Sequence, residues 1–431
     1  RLHFSLIIVE WCWAICIFVW NRYRVNYVYM MGLRPISKEH YQDAFESAIN
    51  GSIVVMFDFL LFVKISEAEI PSTRWFSEGI LPILLIPYLA IHFLMPLRHS
   101  TQSLLPALYA CLISPFSEVT FFASFIGDWM VSLVRVFADF TYTTCYVGTG
   151  AFMSHKHIDE QVIDIEQCTT SPFYTHIVLP LVVALPLWFR LMQNFRRYRD
   201  TKQRWPHLGN AAKYALSHII VIFGVFHPTA TSAQTSYDQA WLCAYLVSTI
   251  YSFWWDVVMD WGLLVHVWQQ LVCCCFYWSY NSSPLTNRRR RGSSVLSVSL
   301  AKPRSALRDR MMYPSTFLYF CAIVLDFMGR FVWTLTLIPS MTHGPFRHSH
   351  FIMAFRNYLG FVEIFRRTLW SFFRVENEHL NNTYGYRRVQ HIPMHFDSTV
   401  RKPNKVNRTP FILVIGEMAI LFAVVIVFTY V

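Results

Sequence analysis

Three arginines lie in long hydrophobic stretches of this 431-residue chain. Arg330 is midway along TFLYFCAIVLDFMGRFVWTLTLI, and Arg366 and Arg367 are midway along FIMAFRNYLGFVEIFRRTLWSFF. A charged side chain at the centre of a bilayer costs roughly 2.5–3.5 kcal/mol on insertion scales, and such a group usually faces a cavity or a partner. Asp326 and Glu363 are the acids close by, which leaves a cationic balance. The pattern predicts an anion carrier or channel.

The spacing of one acid and two arginines is suited to holding a ligand. Glu363 precedes Arg366 by three residues and Arg367 by four, so all three share one helical face. Glu363 can fix the guanidinium of one arginine and leave the other free, and a planar guanidinium fork matches the oxygens of phosphate. The alternative is a structural salt-bridge cluster between packed helices, but the surplus positive charge favours a ligand.

An aromatic side chain beside Arg330 is a candidate gate. Trp333 follows Arg330 by three residues, which places it on the same face and one turn further outward. A bulky ring there would close a pore on the outer side. A lone tryptophan is also a common packing residue or interfacial anchor.

Other charged residues near the ends of hydrophobic segments extend the candidate site. Lys213 and Tyr214 follow the basic stretch RRYRDTKQR and are suited to attract anions into an inner vestibule. Asp256 and Asp260, in WWDVVMDWGL, and Asp128 can orient the cations and limit the positive charge of an empty site. Helix capping and interfacial solvation are equally compatible roles for these three acids.

The sequence gives little support for catalysis. It has no nucleophile elbow, P-loop or HExxH motif, and its histidines are scattered without metal-ligand spacing on one helix. We therefore expect no catalytic residue, no cofactor and no metal site. The alternative to transport is a membrane receptor or scaffold that binds phosphate ligands, although a scaffold gives no reason for arginines in the middle of the membrane.

Composition and segment length predict an all-α, polytopic bundle of about nine to ten membrane helices. The chain is 54% hydrophobic and 17% aromatic, and its 15% of charged residues lies well below the level of a soluble domain. Ten hydrophobic segments fall near 2–20, 44–64, 79–96, 128–147, 175–195, 213–226, 240–260, 314–339, 351–373 and 411–431.

The distribution of basic residues predicts the sidedness. Alternate loops carry 25 Lys and Arg on one side and 4 on the other, so the first side is predicted to be cytoplasmic. The net charge of +11 therefore reflects membrane topology and not nucleic-acid binding. The first segment then runs from outside to inside, and the chain opens with Arg, so we expect a fragment of a longer precursor.

These patterns divide the chain into five regions. They are peripheral transmembrane helices at 1–96, a cytoplasmic interfacial segment at 97–127, a transport core at 128–382, a basic cytoplasmic segment at 383–410 and a C-terminal hydrophobic helix at 411–431. The core contains a flexible cytoplasmic insertion at 281–310, whose Arg288–Arg291 run either binds anionic lipids or fixes topology as a solvated charge block.

Four strings resemble the EXS domain of eukaryotic phosphate exporters, the xenotropic and polytropic retrovirus receptor type. They are RRYRDTKQRWPHLGNAAKY, WDVVMDWGL, RFVW and EIFRRTLWSFFRVENEHLNN, within a resemblance that covers about residues 1–390. The resemblance implies export of inorganic phosphate through a helical bundle, usually a homodimer, in the plasma membrane or alternatively in the Golgi or another endomembrane store.

The resemblance also assigns roles to residues. It implies a phosphate path lined by Asp128, Lys213, Tyr214, Asp256, Asp260, Arg330, Glu363, Arg366 and Arg367, with Arg197 in a basic inner loop and Trp333 as the outer gate. It further implies regulation by inositol pyrophosphates through an SPX domain, which this sequence does not contain. The closing run at 411–431 is not expected of the family.

Overall fold

The computed structural model describes residues 2–32, 40–66, 80–94, 101–114, 116–149, 171–226, 236–265, 267–268, 307–308, 310–332 and 350–389. Every regular element among these residues is helical. The first seven helices are α1 (Leu2–Arg22), α2 (Tyr27–Met30), α3 (His40–Ser66), α4 (Ile80–Leu94), α5 (Thr101–Leu112), α6 (Phe121–Ser132) and α7 (Val134–Gly148). The others are α8 (Leu179–Thr201), α9 (His207–Phe226), α10 (Ser236–Trp254), α11 (Thr316–Phe331) and α12 (His350–Val389).

Two π-helical segments extend these helices. One, Tyr174–Val178, leads into α8, and the other, Trp255–Asp260, continues α10. The wider π turn changes which side chains share a face, and such turns are frequent at functional sites. We name the second one the π segment, because it carries Asp256 and Asp260.

The fold confirms an all-α, polytopic membrane protein. In the described ranges, four helices are long and apolar enough to cross a bilayer, namely Leu2–Arg22, Tyr41–Ile65, Tyr174–Thr201 and Ser236–Asp260. The pair α6 and α7 passes the same test together and bends by 65° at its junction. A shorter apolar helix spans Ile80–Phe93. The segment expected at 411–431 lies outside the described residues.

Several predicted boundaries differ from those observed. The segment expected at 128–147 begins earlier, at Phe121, because Thr120 caps the helix by accepting a hydrogen bond from the N–H of Ala123 at 3.1 Å. The segment expected at 213–226 begins at His207, and the one expected at 351–373 continues to Val389. Asp128 therefore lies inside a helix and not at its start.

Aromatic packing joins α12 to the rest of the bundle. Trp370 is fully buried and stacks on Phe125 of α6, with the ring centroids 5.8 Å apart. Trp261, directly after the π segment, donates from Nε1 to the carbonyl of Trp370 at 3.2 Å, and Trp129 donates to the hydroxyl of Ser371 at 3.1 Å. These contacts hold α6, the π segment and α12 around one interior.

Candidate functional site

Two of the three arginines of the hydrophobic stretches, Arg330 and Arg366, meet at Asp256. Arg330 on α11 donates from Nε to Asp256 Oδ2 at 2.9 Å and also bonds the same oxygen through Nη2. Arg366 on α12 donates from Nη1 to that oxygen at 3.2 Å and to Asp326 Oδ1 at 2.8 Å. Asp256 and Asp326 are 1% and 0% exposed, so these ion pairs lie in the interior. Three elements therefore converge on one buried charge cluster.

Glu363 binds one of its two neighbouring arginines. Arg366 donates from Nε to Glu363 Oε2 at 2.7 Å and from Nη2 to Oε1 at 2.6 Å, which is a bidentate pair. Ser132, at the end of α6, donates to Glu363 Oε1 at 2.6 Å and accepts from Arg367 Nε at 2.7 Å. The bend after Ser132 thus places its hydroxyl between the two side chains. One arginine is fixed and the other is freer, as the spacing of the three residues predicts.

Two buried cations make no ion pair with a described carboxylate. Arg367 and Lys213 are 5% and 6% exposed. The guanidinium of Arg367 lies 4.4 Å from the ring centroid of Trp370, and the ammonium of Lys213 lies 4.6 Å from that of Tyr214 and 5.4 Å from that of Trp255. Aromatic faces favour a cation but do not neutralise it. Both groups can accept an anionic ligand.

A second ion pair lies beside this cluster. Arg190 on α8 donates from Nε to Asp128 Oδ1 at 2.9 Å and from Nη1 to Gln193. Tyr214 donates its hydroxyl to the same oxygen of Asp128. A Cβ added at Gly127 would lie 2.6 Å from Cδ of Arg190, so glycine is needed for this close approach. Asp128 is held by partners from two other helices, which excludes a capping role.

A cavity of about 130 Å³ adjoins these residues on one side. It is lined by the end of α8, the start of α9, the π segment and α12 through Arg197, His207, Asp260 and Arg374 among others. Asp260 accepts from Trp370 Nε1 at 3.2 Å, and Arg374 lies 3.7 Å from it. The loop charges predict that these element ends lie on the cytoplasmic side, and the structure brings them around one space. The cavity is therefore suited to be an inner vestibule.

The charges of the buried cluster balance one another. The stretches around the three arginines are cationic by themselves, and the acids that the sequence analysis placed in the candidate site limit that positive charge. Among the described residues, five cations are opposed by five acids: Arg190, Lys213, Arg330, Arg366 and Arg367 against Asp128, Asp256, Asp260, Asp326 and Glu363. The cluster is formally neutral when empty, because acids distant in sequence converge on it.

Several residues of this site were missed at the sequence level. Arg190 sits in the hydrophobic run LPLVVALPLWFRLMQNF, so it carries the same signal as Arg330 and could have been found in the same way. Ser132, His207 and Arg374 have no comparable signal, because their role depends on how the helices pack. The candidate gate Trp333 lies outside the described residues.

The fold and the site define a polytopic membrane protein with a buried cluster of charge pairs. The EXS family profile matches residues 1–380, and the chain belongs to the EXS family.

Its curated relatives come from distant organisms. SPX and EXS domain-containing protein 1 of Dictyostelium discoideum is 29% identical over 392 residues, which cover 88% of this chain and 36% of that protein. Solute carrier family 53 member 1 of Homo sapiens is 29% identical, with coverages of 86% and 49%. Phosphate transporter PHO1 homolog 9 of Arabidopsis thaliana is 28% identical, with coverages of 89% and 42%. The chain thus spans half or less of the length of these relatives.

Proposed function

We propose that this chain exports inorganic phosphate across a membrane through the space between α6, α8, α9, the π segment, α11 and α12. The observation that carries the proposal is the pair of buried cations, Lys213 and Arg367, that make no ion pair with a described carboxylate. A buried cation that makes no direct ion pair is costly in a membrane interior, so such a group usually faces a ligand or a cavity. The name of the Arabidopsis relative, a phosphate transporter, supports phosphate as that ligand.

In this proposal phosphate enters from the inner vestibule. Arg197 and Arg374 attract the anion, and Lys213 and Arg367 then take it, with Arg330 and Arg366 beside them.

An inside-negative potential favours outward movement by roughly 2.3 kcal/mol per charge per 100 mV, so export needs no further energy source. Trp333 is the proposed outer gate, and the process is passive transport and not catalysis.

The wider biological setting is also part of the proposal. The family resemblance favours a homodimer surrounded by membrane lipids, in the plasma membrane or alternatively an endomembrane store. Regulation by inositol pyrophosphate would act through an SPX domain outside this sequence.

Flux from liposomes tests the function directly. Purified protein is reconstituted into liposomes loaded with labelled phosphate, and release is compared for the wild type, Lys213→Met, Arg367→Gln and the control Arg22→Gln, an exposed arginine at the end of α1. We expect the two buried substitutions to lose most of the flux and the control to keep it. Absence of flux from the folded wild type would overturn the proposal, and phosphate binding without flux would favour a receptor.

A further inference from the structure

Two neighbouring carboxylates in the cluster each have an oxygen without a hydrogen-bond partner. Asp256 Oδ2 and Asp326 Oδ1 both accept from Nη1 of Arg366, at 3.2 and 2.8 Å, so the two groups share one guanidinium nitrogen. Their other oxygens, Asp256 Oδ1 and Asp326 Oδ2, are buried and have no partner in the described part of the chain. Buried polar atoms are nearly always satisfied, so each orphan oxygen indicates a missing group.

The local charges show what that group must compensate. Arg330 and Arg366 carry two positive charges, while Asp256, Asp326 and Glu363, which bond them, carry three negative ones. The surplus negative charge is offset by Lys213 and Arg367 nearby. These are the two cations that phosphate would engage under the proposed function. Once phosphate holds them, the carboxylates keep a negative charge that nothing in the cluster neutralises.

We propose that the pair Asp256 and Asp326 takes up one proton when phosphate binds, so that phosphate binding and export are linked to proton uptake. This inference rests on the proposed function. One O–H bond forms, on an orphan carboxylate oxygen, and the proton is supplied by a buffer acid of the solution that reaches the inner vestibule, which leaves the conjugate base of that acid in solution. Two buried carboxylates in one site commonly share a proton in this way, because both cannot readily stay ionised.

The other carboxylates around the pair each accept hydrogen bonds from groups outside it. Both oxygens of Glu363 are hydrogen-bonded, Asp260 accepts from Trp370, and Asp128 accepts from Arg190 and Tyr214. The groups that face the pair are Arg330 from α11, Glu363, Arg366 and Arg367 from α12, Lys213 from α9 and Asp260 from the π segment. Guanidinium and ammonium groups are already protonated. Asp256 Oδ1 and Asp326 Oδ2 are the carboxylate oxygens of the cluster that are both fully buried and without a hydrogen-bond partner in the described part of the chain, so the proton is assigned to them.

Calorimetry of phosphate binding measures the proton directly. Titrations of the purified protein in buffers of different ionisation enthalpy give the number of protons taken up per phosphate, at a pH where phosphate in solution is one ionic species. We expect the wild type to take up one more proton per bound phosphate than Asp326→Asn does. No uptake by a wild type that binds phosphate would overturn the inference, while absence of binding and flux would instead overturn the proposed function.

A gain in phosphate affinity in a variant would distinguish proton uptake by Asp326 from a purely structural role of this residue. The neutral amide introduced by D326N would mimic the protonated acid, so this variant should bind phosphate more tightly than the wild type at alkaline pH. The wild-type affinity should fall with rising pH by up to about tenfold per unit more steeply than that of the variant. Asp200→Asn, on an exposed pair with Arg196, should keep the wild-type profile.

A parallel substitution covers the case in which D326N does not fold. Asp256→Asn removes the second half of the shared proton site, so it should also lose the proton uptake. If either folded variant keeps the wild-type proton count and pH profile, the inference is wrong.

Discussion

The adjacent residues Arg366 and Arg367 make different kinds of contact in this site. Arg366 bonds three carboxylates and fixes α11, α12 and the π segment to one another. Arg367 bonds the hydroxyl of Ser132, packs over Trp370 and keeps its charge available. Hydrogen bonds of a buried charge to another helix are costly to break, because the remaining partner is left unpaired. Under the proposed function, Arg367 would therefore be the more available of the two neighbours for phosphate.

Replacement of Arg330 tests the third arginine of the cluster. Arg330→Ala leaves Asp256 with Arg366 alone, so we expect a strong loss of phosphate flux from protein that still reaches the membrane. Arg330→Lys should rescue the flux only in part, because a point charge lacks the two-pronged donor geometry. Liposome flux normalised to folded protein is the measurement. Normal flux from Arg330→Ala would contradict the assignment.

The helices approach closely where glycine meets an arginine stem. At Gly329 an added Cβ would lie 3.1 Å from the side chain of Arg366, and at Gly127 it would lie 2.6 Å from that of Arg190. These two positions set the distance between helices and the direction of the guanidinium groups. The packing of α6 on α8 and of α11 on α12 therefore depends on glycine at these two positions, because a larger residue would push the arginine side chain away.

Alanine at Gly127 should disturb the ion pair of Asp128. The new methyl group would force Arg190 away from its carboxylate, so we expect lower phosphate flux and a lower melting temperature for Gly127→Ala. Gly148→Ala is the matched control, because no atom lies within 4 Å of its added Cβ. Thermal unfolding and flux should both separate the two variants. Equal melting temperatures and equal fluxes for the two variants would show that Arg190 and α8 move aside without loss of stability or transport.

A buried acid outside the charge cluster, Glu376 on α12, binds α11 and the residues that precede it. Glu376 is fully buried and accepts from Arg308, from Tyr319 and from the N–H of Met312 at 2.7 Å. Glu376→Ala leaves Arg308 with the amide of Asn377 but without a carboxylate, and should destabilise the fold by roughly 3–5 kcal/mol.

The neighbouring Glu378 provides the control for that substitution. It forms a partly exposed pair with Arg374 at 3.0 Å, and Glu378→Ala should cost roughly 1 kcal/mol or less. Denaturation midpoints in detergent compare the two. A similar loss for both variants would show that the buried network contributes little.

At the scale of the whole molecule, the membrane sidedness stays a prediction from loop charge. The loops with 25 basic residues should be cytoplasmic, including 281–310, and the loop at 148–174 should be external. Protease added to intact cells should cleave only the external loop, and permeabilised cells provide the control for access. Cleavage within the RRRR run from outside would reverse the topology.

The sequence predicts the class of fold and much of the site for a physical reason. Charged residues are rare in membrane helices, so Arg330, Arg366, Lys213 and Asp256 stand out without any structure. The pairing of the charges could not be predicted, because which carboxylate meets which arginine depends on how α6, α11 and the π segment pack. Helix starts were also misplaced, since the cap at Thr120 is a weaker signal than the hydrophobic run that follows it.

The length of α12 predicts the effect of insertions and deletions in the part of the gene that encodes it. This helix has 40 residues, about 60 Å at about 1.5 Å per residue, and it carries both Glu363 and Glu376. Inserting one codon between these positions would turn one part of the helix by about 100° relative to the other. The arginines and the Glu376 network could then not face their partners at the same time. Insertion or deletion of a single codon within this stretch should therefore abolish folding or phosphate flux, whereas an insertion of seven codons, close to two full turns, should be tolerated better.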